Sequence, residues 1–169
     1  MPQSFGPENA RLTVRTGRTG AASKAGHDLL IEVTSWSATL DPEADPALTL
    51  SADSDSLRVL EGTGGVQALD DDDRAGIRQT IEDEVLEGTP IEFRSTWFEP
   101  GDPIRVEGEL ELRGERRPIA FELVSAADGG LVGTVIVRQT DWGMKPYSAL
   151  FGTLKVADEV EVAVDTRGA

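Results

Sequence analysis

The chain has no cysteine in its 169 residues, one histidine, one tyrosine and three tryptophans. The absence of cysteine removes disulfide scaffolds, thiolate metal sites and cysteine nucleophiles together, and fits a reducing compartment. A lone His27 has no second histidine with which to share a metal ion, so no metal site is expected. Apolar runs of bilayer length are missing, and the first residues, MPQSFGPENARLTVRTG, lack the basic segment followed by an apolar stretch that marks an export signal. The expectation is a cytoplasmic protein with no stable membrane insertion. Lysine is scarce as well, at positions 24, 145 and 155, and the formal net charge is -15. Such a surface repels both a nucleic-acid backbone and an anionic membrane, so neither is expected as a partner. Gly62-Thr63-Gly64-Gly65 lacks the Lys-Ser/Thr ending of a phosphate-binding loop, and no Gly-x-Ser-x-Gly nucleophile elbow occurs.

What the chain does have is alternation. Leu12 and Val14 alternate with Arg11, Thr13 and Arg15, and Gly108, Leu110 and Leu112 with Glu109, Glu111 and Arg113. Val160, Val162 and Val164 interleave with acidic neighbours in the same way. Each pattern describes a strand with one buried and one wet face. Ile91, Phe93, Ser95 and Trp97 alternate with Glu92, Arg94 and Thr96, and Ile119, Phe121 and Leu123 form the partner of the 108–112 strand after a reversal at Gly114-Glu115. Between Val33 and Trp36 the inward parity switches, which predicts a bulge or bend inside a long strand. About eight or nine strands follow from this spacing. One helix is expected near 71–86, where Ile77, Ile81 and Val85 recur every fourth residue behind the acidic run Asp70–Asp73 and ahead of Gly88 and Pro90.

With no composition break, the chain is expected to be one domain over residues 1–169, large enough to bury a core. Many short antiparallel strands must stack or close, because a long open edge invites aggregation. A single helix covers little of such a sheet, so an all-β barrel with the helix as lid is the economical arrangement, and a sandwich the alternative.

The order of four blocks carries a family resemblance: DDDDRAGIRQTIEDEVLEGTPIEFRST, GELELRGERRPIAFEL, the DWG loop, and the final DEV strand, over about 70–165. In order and spacing they resemble the YceI-like family. The resemblance implies an extended antiparallel, eight-stranded lipocalin-like barrel whose lumen holds a long isoprenoid, quinone or other lipid-like chain, and it leaves a homodimer open. The chain departs from the periplasmic members of that family in showing no export signal and in carrying one histidine in GHDLLIEV.

The candidate ligand-binding set is His27, Leu29, Ile31, Trp36, Phe93, Trp97, Leu110, Phe121, Val135, Trp142, Tyr147 and Phe151. The aromatic members on strands fall on the apolar parity, so they line either a filled core or a cavity. Trp142, Tyr147 and Phe151 belong to DWGMKPYSALFG, a loop that is either a plug or an opening for ligand. His27 and Asp28 are neighbours whose side chains would point to opposite faces of a strand, which disfavours a catalytic pair. Arg74, Arg78, Arg116 and Arg117 are available for an anionic headgroup or simply solvated. The chain is thus expected to be a non-enzymatic carrier of one long apolar molecule, without cofactor or catalytic residues. The alternatives are a barrel enzyme using His27 for proton transfer, of isomerase or hydrolase type, and a filled scaffold whose acidic surface engages a basic partner.

Overall fold

Wherever the sequence alternates, the backbone pairs. A computed structural model describes residues 2–19, 28–63, 71–144, 148–149 and 154–166. Among these residues the strands are β1 (Gln3–Phe5), β2 (Ala10–Thr16), β3 (Arg18–Thr19), β4 (Asp28–Val33), β5 (Trp36–Leu40), β6 (Leu48–Ala52), β7 (Leu57–Thr63), β8 (Ile91–Glu99), β9 (Ile104–Leu112), β10 (Glu115–Ser125), β11 (Leu131–Arg138), β12 (Ser148–Ala149), β13 (Leu154–Val156) and β14 (Glu159–Thr166). One helix, α1 (Asp71–Thr80), continues into a π-helical turn over Ile81–Val85. The fold is all-β with a single helix.

Eleven strands form one antiparallel sheet in the order β1-β5-β6-β8-β9-β10-β11-β14-β2-β4-β7, curled into a half-barrel around one core; β12, β13 and β3 make a second, small sheet. The count exceeds the eight or nine expected because the run 28–40 is bent into β4 and β5 and because β1 pairs along β5, and a second bend separates β6 from β7. The run 28–40 breaks at Thr34-Ser35, where the parity switch predicted a bend, and the run 48–63 breaks at Asp53–Ser56. The two breaks face each other: Thr34 N–H donates to the Ser56 carbonyl at 2.8 Å and Asp53 N–H to the Ser35 carbonyl at 3.0 Å. Bending together lets both strands turn a corner while their backbone groups stay paired.

The β9–β10 hairpin runs from Leu112 opposite Glu115 to Ile104 opposite Leu123. Its turn is Arg113-Gly114, one residue earlier than the sequence suggested, with both residues at positive φ (53° and 77°). A two-residue turn of that kind matches the right-handed twist of the flanking strands. At the other end, Gly88 (φ 70°) stops the helical segment, its N–H donating to the Glu82 carbonyl at 2.8 Å, while Leu86 N–H reaches back five residues to Ile81 at 2.8 Å. That extra residue turns Leu86 fully into the core beside half-buried Ile77, Ile81 and Val85.

Helix and sheet are joined at a bulge. Leu30 pairs with Glu61 but Ile31 with Val59, leaving Leu60 without an opposite residue. Arg74 of α1 donates through Nη1 to the carbonyls of Leu60 (3.3 Å) and Val59 (3.5 Å). The helix thus takes up carbonyl groups where the ladder is irregular.

Candidate functional site

The inner face of the curled sheet is built from alternate residues of every long strand. On β5, β8 and β9 that face is tightly filled: Trp36, Ala38, Leu40, Phe93, Val106, Leu110 and Leu112 are all buried. On β2, β10, β11 and β14 it mixes buried Leu12, Leu123 and Val137 with half-buried Val14, Ile119, Phe121, Val135, Val160, Val162 and Val164. Ladder pairs such as Val14 with Val162 and Val162 with Val135 set these side chains in rows. Accessible apolar surface thus remains at particular inward positions, most of them on β2, β10, β11 and β14.

Two glycines shape that interior. A Cβ on Gly108 would run into the Arg94 carbonyl and stand 2.6 Å from Phe93 Cζ, so the Phe93 ring lies over the backbone of β9. From there it meets Phe121 with ring centroids 5.5 Å apart and planes inclined at 56°. Gly133 is similarly covered by Leu123, whose Cδ2 lies 2.7 Å from the place of its missing Cβ.

The polar groups buried among these side chains hold the fold. Ser95 Oγ accepts from Leu48 N–H at 2.9 Å, Gln139 Nε2 donates to the Ala157 carbonyl at 3.1 Å, and Thr166 Oγ1 accepts from Leu131 N–H at 2.8 Å. Trp142, 4% exposed, donates through Nε1 to the Leu110 carbonyl at 2.7 Å. It closes this part of the interior together with buried Met144. For Trp142 and Met144 the loop acts as a plug; most of the remaining loop lies outside the described residues.

Of the candidate set, Ile31, Trp36, Phe93, Leu110 and Trp142 are buried in the one core cluster, and Leu29, Phe121 and Val135 pack half-buried against it. His27, Tyr147 and Phe151 lie outside the described residues. Trp97 is a correction: it is 44% exposed on the outer face. The ladder with β9 slips between Ser95, opposite Gly108, and Trp97, opposite Glu107, so Thr96 is an extra residue and everything beyond it changes face. Phe98 takes the inward place, opposite buried Val106. The only signal of this in the sequence is that Trp97 and Phe98 are consecutive aromatics, which no straight strand can bury on one face.

The arginines proposed for an anionic headgroup are also engaged elsewhere. Arg74 serves the β7 backbone, Arg78 pairs with Glu82 at 3.5 Å, Arg117 with Glu115 at 3.2 Å and Arg116 with Glu111 at 2.8 Å. The hydrogen bond and charge of Glu111 raise the pKa of Arg116 further, so this guanidinium is charged at any ordinary pH.

Two features concern access. The β10–β11 ladder consists of Val124 opposite Val132 and Ser125 opposite Leu131, then stops, although both strands continue. Beside this seam the outer face carries Val124 (50% exposed), Val132 and Ile136 (55%). Among the described residues no helix is long and apolar enough to cross a membrane.

Comparison with known proteins agrees with this architecture. No curated protein matches the chain. Among solved structures, BcnA of Burkholderia cenocepacia superposes with a TM-score of 0.66 at 16% identity, over 95% of this chain and 96% of that one. The YCEI protein of Campylobacter jejuni superposes with a TM-score of 0.56 at 12% identity, over 82% of each chain. A cysteine variant of the latter was crystallised with a monobromobimane guest. The family model for the YceI-like domain matches residues 31–167. A curled sheet of this order, with its one helix and its match over most of the length, makes this chain a member of the YceI-like family.

Proposed function

We propose that the protein is a non-enzymatic binder that holds one long apolar molecule, of isoprenoid, quinone or other lipid-like type, inside a closed barrel. Closure is supported by the pairing. If β4 and β5 are counted as one bent strand and β6 and β7 as another, the sequence of partners becomes β8, β9, β10, β11, β14, β2, β4/β5, β6/β7, and β6 returns to β8. That is a ring of eight, a size whose interior either fills with side chains or admits one slender ligand.

The observation that favours a ligand is the half-burial of seven inward apolar residues on β2, β10, β11 and β14, namely Val14, Ile119, Phe121, Val135, Val160, Val162 and Val164. In a filled barrel these positions would lose their water as completely as Val106, which lies opposite Phe121 in the β9–β10 ladder and is 1% exposed. An apolar chain laid along them would contribute about 25 cal/mol for each Å² it covers. The buried Ser95 and Thr166 hydroxyls and the Gln139 amide are committed to backbone partners, which suits a container better than a reaction centre.

Mass spectrometry of organic extracts from freshly purified protein tests this reading. A stoichiometric lipid-like species is expected. Protein that yields none, and that does not retain an isoprenoid offered in excess, is not a carrier of this kind.

A further inference from the structure

Pro118 stands inside β10, between β9 and β11, although a proline cannot donate to a ladder and is ordinarily kept to edge strands. Its direction resolves the conflict. In a two-residue hairpin the residues flanking the turn, here Leu112 and Glu115, exchange both hydrogen bonds, and the bonding direction alternates from there. Odd-numbered residues of β10 therefore turn their backbone groups to β9 and even-numbered ones to β11. The bonds past Leu123 follow the same rule: Ser125 N–H donates to Asp102, just before β9, at 3.1 Å, and Ala126 N–H to the Gly130 carbonyl, just before β11, at 2.8 Å. Pro118 thus presents its missing donor to β11.

The ladder on that side is correspondingly short. It has two pairs, against nine between β9 and β10 and seven between β11 and β14. One step past its last pair the strands still touch, because a Cβ on Gly133 would stand 2.8 Å from the Glu122 carbonyl oxygen. Further on, the backbone groups that Ala120 and Pro118 turn to β11, and those that Ile136 turns to β10, belong to no ladder pair. The far end is closed by Trp142, bonded to Leu110, which lies opposite Arg117 of β10. Apolar side chains line this seam on both faces: half-buried Ile119, Phe121 and Val135 inside, exposed Val124, Val132 and Ile136 outside. On the strands to either side the outer face is charged, with Glu107 and Glu109 on β9 and Glu159 and Glu161 on β14.

From this we infer that the seam between β10 and β11 is the passage by which the apolar molecule enters and leaves the interior. The inference rests on the interior being a ligand chamber, as proposed above. Parting β9 from β10, or β11 from β14, breaks a run of ladder bonds; in the seam those bonds are not there to break. A slender isoprenoid or acyl chain crossing there slides from apolar outer residues to apolar inner ones without stripping water from a charged group.

The register of Val124 and Val132, carried onward, sets Ala120 opposite Ile136, both on the exposed outer face. With no native cysteine to interfere, Ala120→Cys/Ile136→Cys can be bridged across the seam by dibromobimane. A control bridge, Thr134→Cys/Ala163→Cys, spans the continuous β11–β14 ladder. Uptake of all-trans-retinol from phosphatidylcholine vesicles, and its release back to them, are followed by fluorescence. Bridging the seam should slow both directions by about tenfold or more, equivalent to about 1.4 kcal/mol on the barrier, and leave the amount bound at equilibrium unchanged. The control bridge should alter neither rate. Unchanged rates across the bridged seam, or equal slowing by the control, overturn the passage and leave the carrier reading intact. An unsubstituted protein that takes up no retinol overturns both. Should the seam pair fail to bridge, Ile136→Asp gives the same test at an exposed site: a charge at the outer rim should slow uptake and release alike, and unchanged rates remove the inference.

Discussion

Phe93 lays its ring over Gly108: a Cβ at that glycine would stand 2.6 Å from Phe93 Cζ and 2.8 Å from Ser95 Cα, and would strike the Arg94 carbonyl. The pair fixes how close β8 and β9 approach and where Phe121 meets the ring. Gly108→Ala is therefore expected to destabilise the fold by about 1–3 kcal/mol, the usual cost of forcing a methyl group into a packed interior. A urea titration checks this through the midpoint. Combining it with Phe93→Leu should recover only part of the loss, because the contacts with the β8 backbone remain.

Trp142 ties the turn after β11 to the middle of β9 through its bond to the Leu110 carbonyl at 2.7 Å. Trp142→Phe keeps most of the ring and removes that one bond, while Leu110 stays in the ladders to β8 and β10. A loss of about 0.5–1.5 kcal/mol is expected, again read from denaturant unfolding. An unchanged midpoint would mean that the bond contributes nothing net.

Trp97 and Phe93 sit two turns of alternation apart and are expected to behave oppositely. Trp97→Ser, on the outer face, should change stability by no more than about 0.5 kcal/mol and leave ligand retention as it was. Phe93→Ala should cost about 3–5 kcal/mol through the cavity it opens. Thermal unfolding of the two variants side by side decides the matter, and a large effect at Trp97 would contradict the bulge at Thr96.

The short β10–β11 ladder sets hydrogen exchange along β10. Amides between Ile119 and Leu123 that turn toward β9 lie in a continuous ladder, whereas those that turn toward β11 lie beyond its last pair at Val124 and Val132. Exchange measured residue by residue should alternate, fast on the β11 side and slow on the β9 side. Uniform protection would show the seam to be closed in solution.

Much of this was legible in the chain. Period-two alternation put Leu110, Phe93, Ile31 and Trp36 on the inner face, and the parity switch before Trp36 marked the bend at Thr34-Ser35. The four-residue stripe from Ile77 to Val85 and the stop at Gly88 located the helix. The errors have one physical origin. Alternation reports sidedness only while the chain stays in register, and an inserted residue such as Thr96 reverses everything after it without changing composition. The hairpin reversal moved by one residue for a related reason, since Arg113 accepts a positive φ that sequence rules reserve for glycine or asparagine.

The sequence by itself determined the class of structure and the family, because strand periodicity, helix stops and turn residues are local properties of the chain. Tertiary structure alone decided which apolar residues lost all their water and which kept some, and which buried donors found acceptors. Those outcomes depend on partners far apart in the chain, such as Trp142 and Leu110, or Phe93 and Gly108. For the same reason the unpaired N–H of Trp36 is invisible in the sequence, where a tryptophan on the apolar parity of a strand reads simply as core.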